Sequence, residues 1–308
     1  IDWAASFPEV VDDAATAYID ETDAVGMEIV TGGDPVVLDY DGNQRIGVEL
    51  EYGLVSLFDF VHLEGSIGFE KGPQMLVDLG TGVPQNLGPA LQNTMGTALN
   101  ALPAEVRGTT EMSNNGGTLT DVDVAGWMIG GSGISAYVGT GLDASAIVVP
   151  DKDNTSDRPM GALLADAMVQ EGLFGFGLTN LDIGVAAYEP TINDFLEAAG
   201  SPTIPNFTAA RATADSFDVY TGSMDFIRVA GRNLELKLND GDNWELGGGI
   251  PEFGPAVIDW AASFPEVVDD AATADIDETD AVGMEIVTGG DPVVLDYDGN
   301  QRIGVELE

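Results

Sequence analysis

Carboxylates gathered on short stretches rich in Asp, Asn and Gly are the side chains in this sequence with the clearest capacity for chemistry. Asp151-Lys152-Asp153-Asn154-Thr155-Ser156-Asp157 places three carboxylates and several further side-chain oxygens within seven residues. Calcium takes roughly six to eight hard oxygen ligands on a flexible loop, so Asp151, Asp153 and Asp157 form a candidate Ca2+ site. Asp39, Asp41 and Asn43, which recur as Asp296, Asp298 and Asn300, and the pair Asp240 and Asp242 are smaller candidates of the same kind. None carries the glutamate that closes an EF-hand loop. The competing reading is a solvated turn, because Asp and Asn are favoured there for backbone reasons alone.

Other chemistries find less support. His62 is the single histidine. It stands between Val61 and Leu63 in an alternating run, where a packed or surface role is expected. A Ser-His-Asp arrangement would have to use it, and no Gly-x-Ser-x-Gly turn presents a serine. Gly130-Gly131-Ser132-Gly133 and Gly247-Gly248-Gly249 lack the lysine of a phosphate loop and the spacing of a dinucleotide fingerprint. Paired carboxylates could hydrolyse glycosides, but 53 acidic residues make chance pairs abundant. With no cysteine there are no disulfides and no thiolate metal sites. The expectation is a protein with no catalytic residues.

The elements that hold these residues read as strands. Val36–Tyr40 and Arg45–Tyr52 alternate about Asp41-Gly42-Asn43, a hairpin signal because Gly and Asn tolerate positive φ. Ile46, Val48, Leu50 and Tyr52 are expected on a buried face. Further strands are expected over 55–60, 62–69, 123–128, 133–138, 174–179, 181–187, 216–221, 225–230 and 233–239, the last with Leu234, Leu236 and Leu238 buried. Short helices are expected after Pro89, after Pro159 and from Thr191 to Gly200. Trp3, Phe7, Trp127 and Trp244 read as core anchors. The fold class is mainly β, with antiparallel sheets in a sandwich or an elongated meander or solenoid-like repeat unit, covered by a few short helices.

Self-similarity orders the whole chain. Residues 1–51 return as 258–308 with 50 of 51 positions identical, Tyr18 against Asp275 being the exception. This defines one repeat unit at 1–257 and the start of the next at 258–308. The run through Glu51 into Tyr52-Gly53-Leu54-Val55 alternates without punctuation, so the chain reads as a window from a longer tandem array whose units join through strands that cross each boundary. Each period carries 39 acidic and nine basic residues. Such charge makes nucleic acid and anionic membrane unsuitable partners and points to a setting rich in salt or divalent cations. No apolar run approaches the roughly 18 residues of a membrane span.

Leu38-Asp39-Tyr40-Asp41-Gly42, the run Leu57-Phe58-Asp59-Phe60-Val61-His62-Leu63-Glu64-Gly65-Ser66-Ile67-Gly68-Phe69-Glu70-Lys71, and later stretches at 136–139, 177–186 and 207–219 resemble a recurring block of giant tandem-repeat bacterial surface proteins. The resemblance implies an extracellular, cell-surface adhesin or fibre whose partners are its own neighbouring repeats. An adhesin module displaying a carbohydrate or protein site is the alternative, and a salt-adapted enzyme a remote one.

Overall fold

A computed structural model describes residues 6, 10–11, 24–25, 27–29, 36–38, 45–72, 74–147, 159–166, 172–222, 229–245, 253–265, 267–268 and 281–306. The chain divides into two compact units, Ile1–Ile46 with Gly72–Gln74, and Gly47–Lys71 with Met75–Glu308. In the first, β1 (Val10–Val11) pairs antiparallel with β2 (Ala24–Val25), and β3 (Met27–Ile29) with β4 (Val36–Leu38).

The second unit is built on a ten-stranded sheet. Its main strands are β5 (Ile46–Leu57), β6 (Val61–Lys71), β7 (Met75–Gly80), β8 (Glu111–Met112), β9 (Thr118–Thr140), β10 (Phe174–Pro190), β11 (Phe207–Thr221) and β12 (Val229–Gly241). From one edge the order is β5, β6, β9, β10, β11, β12, with β7 and β8 flanking the remainder of β9. Each pairing among β6 to β12 is antiparallel. The mainly β, antiparallel class expected from the alternation is therefore what the chain forms.

Several expected strands prove to be halves of longer ones. The stretches at 123–128 and 133–138 are both β9, and those at 174–179 and 181–187 are both β10. Gly133 and Asn180 take positive φ where the β9–β10 register slips. A bulge absorbs one residue without ending a strand, so these sequence breakers punctuate without terminating. Conversely, the run expected over 55–60 ends early. Phe58 and Asp59 both have positive φ, and the Phe60 N–H donates to the Leu57 carbonyl at 3.1 Å. That is a two-residue turn whose twist suits a hairpin, and it joins β5 to β6.

Helices cover one face. α1 (Gly88–Ala101) buries Leu91, Met95 and Leu99 in a core with Val77, Leu119 and Val122. It is followed by the short α2 (Ala104–Arg107). α3 (Met160–Ala165) buries Met160, Leu163 and Leu164 against Tyr137, Leu173 and Tyr220. α4 (Asn193–Ala198) adds Leu196 to the first core. On β6 the usual alternation is inverted: His62, Glu64, Ser66 and Glu70 are buried, whereas Leu63, Ile67 and Phe69 are exposed.

The rest of the unit is β13 (Asn243–Trp244), β14 (Phe253–Pro255), β15 (Val257–Asp259), α5 (Trp260–Ser263), β16 (Val267–Val268), β17 (Ala281–Val282), β18 (Met284–Ile286), β19 (Val293–Leu295) and β20 (Arg302–Glu306). Both copies of the repeated segment form the same local hairpins. Val10↔Val25 and Met27↔Leu38 in the first match Val267↔Val282 and Met284↔Leu295 in the second.

Two sequence expectations fail here. The Asp-Gly signal does not close a hairpin between its flanking strands: in the second copy β19 pairs with β18, and β20 pairs with β12. Tertiary partners override the local turn preference, because Asn239 binds the carbonyls of Asp298 and Asn300 within that turn. Nor are the leucines of β12 the buried face. Leu236 is exposed and Asn239, on the opposite side, is buried, because the polar side is the one that receives the second copy.

Candidate interface between repeats

The described residues of the span 257–306, namely 257–265, 267–268 and 281–306, include a strap across the sheet of the second unit. The strap enters at one edge, where β15 pairs with β7 through Val257↔Gly80, Ile258↔Leu79 and Asp259↔Asp78. It leaves at the other edge, where β20 pairs with β12 through Leu236↔Val305, Lys237↔Gly304 and Leu238↔Ile303. The start of the second period thus covers the sheet made by the first.

Three glycines make room for it. Gly68 on β6, Gly130 on β9 and Gly184 on β10 face one another across the sheet. A Cβ on Gly68 or Gly130 would collide with the Val287 carbonyl oxygen, and one on Gly184 would sit 2.9 Å from Val293 Cγ1. None of the three has positive φ, so close approach of another backbone, not conformation, is what requires glycine there. Gly80 and Gly241 meet the Gly299 and Ala256 carbonyls in the same way.

Along the row from Gly184 stands Arg211, whose Nη1 donates to the Val294 carbonyl at 3.2 Å. Its guanidinium also lies 3.5 Å from Glu235 and 3.6 Å from Asp296. Asn239 is the buried anchor. Its Nδ2 donates to the carbonyls of Ile258 at 3.0 Å and Asp298 at 3.2 Å, and its Oδ1 accepts from Trp260 Nε1 at 3.0 Å. Every strong hydrogen-bonding group of that side chain meets the strap, as a buried amide requires. Tyr297 donates its hydroxyl to the Ala210 carbonyl at 2.8 Å, and burial pushes its pKa up to about 12.

The same sequence sits differently in its two copies. Ile286 is 0% exposed beneath the strap's hairpin, whereas its equivalent Ile29 is 42% exposed. Ile46 and Val48 on β5, and their equivalents Ile303 and Val305 on β20, are exposed in both places, against the expectation of a buried face. These side chains read as apolar on a strand, and only a covering element would bury them.

Of the residues expected to bind calcium, Asp240 and Asp242 are described. Asp151, Asp153 and Asp157, and likewise Asp39, Asp41 and Asn43, lie outside the described residues. The second-copy equivalents are described: Asp296 pairs with Arg211, and Asp298 lies 3.2 Å from Arg302, which holds its carboxyl below the usual range. The Asp240 carboxylate accepts from Gly241 N–H and from Gln301 Nε2 at 2.8 Å, and the Asp242 N–H donates to the Asn206 carbonyl. Among the described residues no three His, Cys, Asp or Glu side chains gather in a way that could hold a metal ion.

His62 is buried, stacked on Tyr137 at 6.2 Å and bonded through Nδ1 to Ser56 Oγ at 2.7 Å. Among the described residues its Nε2 has no hydrogen-bond partner. Glu64 accepts from the Tyr52 hydroxyl at 2.7 Å and from the Gly161 N–H at 3.1 Å, which ties β5 and α3 to the sheet. Burial, reinforced by that carboxylate, raises the Tyr52 pKa. A shallow groove between α1 and β8, about 450 Å³, is lined by amide, threonine and arginine side chains including Asn93, Asn100, Arg107 and Thr110. Trp244 and Trp260 are buried as anchors, whereas Trp127 is exposed on the sheet's other face; Trp3 and Phe7 lie outside the described residues.

Sequence reasoning missed Asn239, Arg211 and the glycine row, although the signal was present. An asparagine in an alternating run and a glycine at the same level of three neighbouring strands acquire meaning only once the register is known. No protein-family model matches the chain, and neither a curated protein nor a solved structure is similar to it. No helix among the described residues is long and apolar enough to cross a membrane.

Proposed function

We propose that the chain is a structural repeat of an extracellular filament or long adhesive stalk, without catalysis, and that its partners are neighbouring copies of itself. The observation that carries this reading is the mismatch of phase between sequence period and compact unit. The sheet of one period takes part of its cover and two flanking strands, β15 and β20, from the beginning of the next. A period therefore needs its successor to be complete, which is a property of a polymer rather than of a free-standing enzyme or receptor.

The acidic surface fits a hydrated stalk. With 39 acidic and nine basic residues in a period, side-by-side contact of such stalks is opposed by charge, while the end-to-end contact is made by glycines, carbonyls and one buried amide. Electron microscopy of the native material tests the reading. Regular filaments with one axial repeat per 257 residues are expected; discrete particles without axial order would overturn it and favour a displayed binding module.

A further inference from the structure

We propose that β20 of one copy and β5 of the next are a single strand, bonded on one edge to β12 and on the other to β6, so that the sheets of successive copies merge into one continuous sheet. The proposal rests on the repeat reading above and names the contact that builds it. The partner is a second copy of this chain, or the adjoining period where both lie on one polypeptide.

Four observations converge. Arg302–Glu306 and Arg45–Glu49 have the same sequence, yet the first is the outermost strand beyond β12 and the second begins the outermost strand beyond β6. Secondly, these lie at opposite ends of one sheet. From β5 the strands pass through β6, β9, β10, β11 and β12 to β20, six antiparallel steps, β5 and β6 being a hairpin. An even number of reversals leaves β20 running in the same direction as β5. Its partner β12 stands on the side where β5 pairs with no described strand, and the partner β6 of β5 stands on the side where β20 pairs with no described strand. One strand can therefore serve both neighbours at once.

Thirdly, an open antiparallel edge is a row of unpaired N–H and C=O groups that recruits another strand. Here each open edge is matched by a copy of the very sequence seen paired to it. Fourthly, the two copies of the repeated segment differ in burial. Ile29 is 42% exposed where Ile286, in an identically paired hairpin, is 0% exposed on the glycine row. The glycine row, Arg211 and Asn239 of another copy are what fit the first.

The geometry sets a scale. Six strand spacings of about 4.8 Å give an advance of about 29 Å per period along the filament. The 23 residues of β9 run across it for about 75 Å.

Two cysteine pairs test the contact in a chain that has no native cysteine. Lys237→Cys with Gly304→Cys faces across β12 and β20, and Gly304 has open space for the new side chain. This pair is expected to close within one molecule. Lys237→Cys with Gly47→Cys places the second thiol on the equivalent position of β5. It is combined with Ile303→Pro and Gly304→Pro, adjacent prolines that remove whichever N–H β20 gives to β12. The expected result on a non-reducing gel is a ladder of disulfide-linked dimers, trimers and longer species. The same pair without the prolines is the second measurement, with dimer expected to grow as concentration rises and the two identical segments exchange. Monomer alone from both, while the Gly304 pair closes, would overturn the shared strand. Filaments with an axial repeat well above about 29 Å would also overturn it and leave the repeat reading standing, whereas a ladder from material that never forms filaments would do the reverse.

Discussion

Asn239 concentrates the recognition of one period by the next in a single amide. Its donors reach Ile258 and Asp298, and its acceptor reaches Trp260, all of them within the strap. Asn239→Leu would keep the volume roughly constant but leave the Trp260 N–H and two or more carbonyls without partners. Each buried orphan costs about 1–3 kcal/mol, so a loss of about 3 kcal/mol or more is expected in urea unfolding followed by tryptophan fluorescence. A loss below about 1 kcal/mol would mean that water replaces the amide and that the strap is held mainly by apolar contact.

At the scale of elements, the fit of strap to sheet depends on β6, β9 and β10 presenting glycine at one level. Gly130→Val would drive its side chain into the Val287 carbonyl, the Thr288 methyl and Ile286. The expected effect is release of the strap with the sheet still folded. Limited proteolysis should then cut within 257–306 while a core from β5 to β12 survives, and cutting spread evenly over the chain would contradict this. Much of the element pattern was legible beforehand, because period-two alternation at 62–69 or 233–239 is a direct consequence of a pleated strand. The helix expected after Pro89 is likewise present as α1. Which face is buried was not legible. Ile46, Val48 and Leu236 look like core residues, but burial depends on what lies opposite, and a strand whose polar side carries a docking segment reverses the rule. The Asp-Gly pair misled for a related reason, since its neighbours are claimed by Asn239 from elsewhere in the chain.

For the whole molecule, like-charge repulsion opposes both compactness and association. A formal net charge of −43 is repulsive at every separation shorter than the screening length, which falls from about 30 Å at 0.01 M salt to about 3 Å at 1 M. Thermal stability is therefore expected to climb by several degrees over that range, most steeply at low ionic strength. A melting temperature that is flat or falls with salt would show that local ion pairs such as those of Arg211 outweigh the global repulsion. The self-similarity that defines the polymer was plain from residues 1–51 and 258–308; that the second copy completes the sheet of the first could not be read without the pairing of β15 and β20.

A mechanical consequence follows from the path of the strap. It is fastened to β7 at one margin of the sheet and to β12 at the other, and between them it runs over β9, β10 and β11. A force that draws those margins apart acts on strand-to-strand hydrogen bonds, which can open one at a time. The strap lies along that force as a covalent tether, so tensile load passes into its backbone, and the sheet beneath is kept from unzipping until the tether itself has been pulled free of Asn239 and the glycine row.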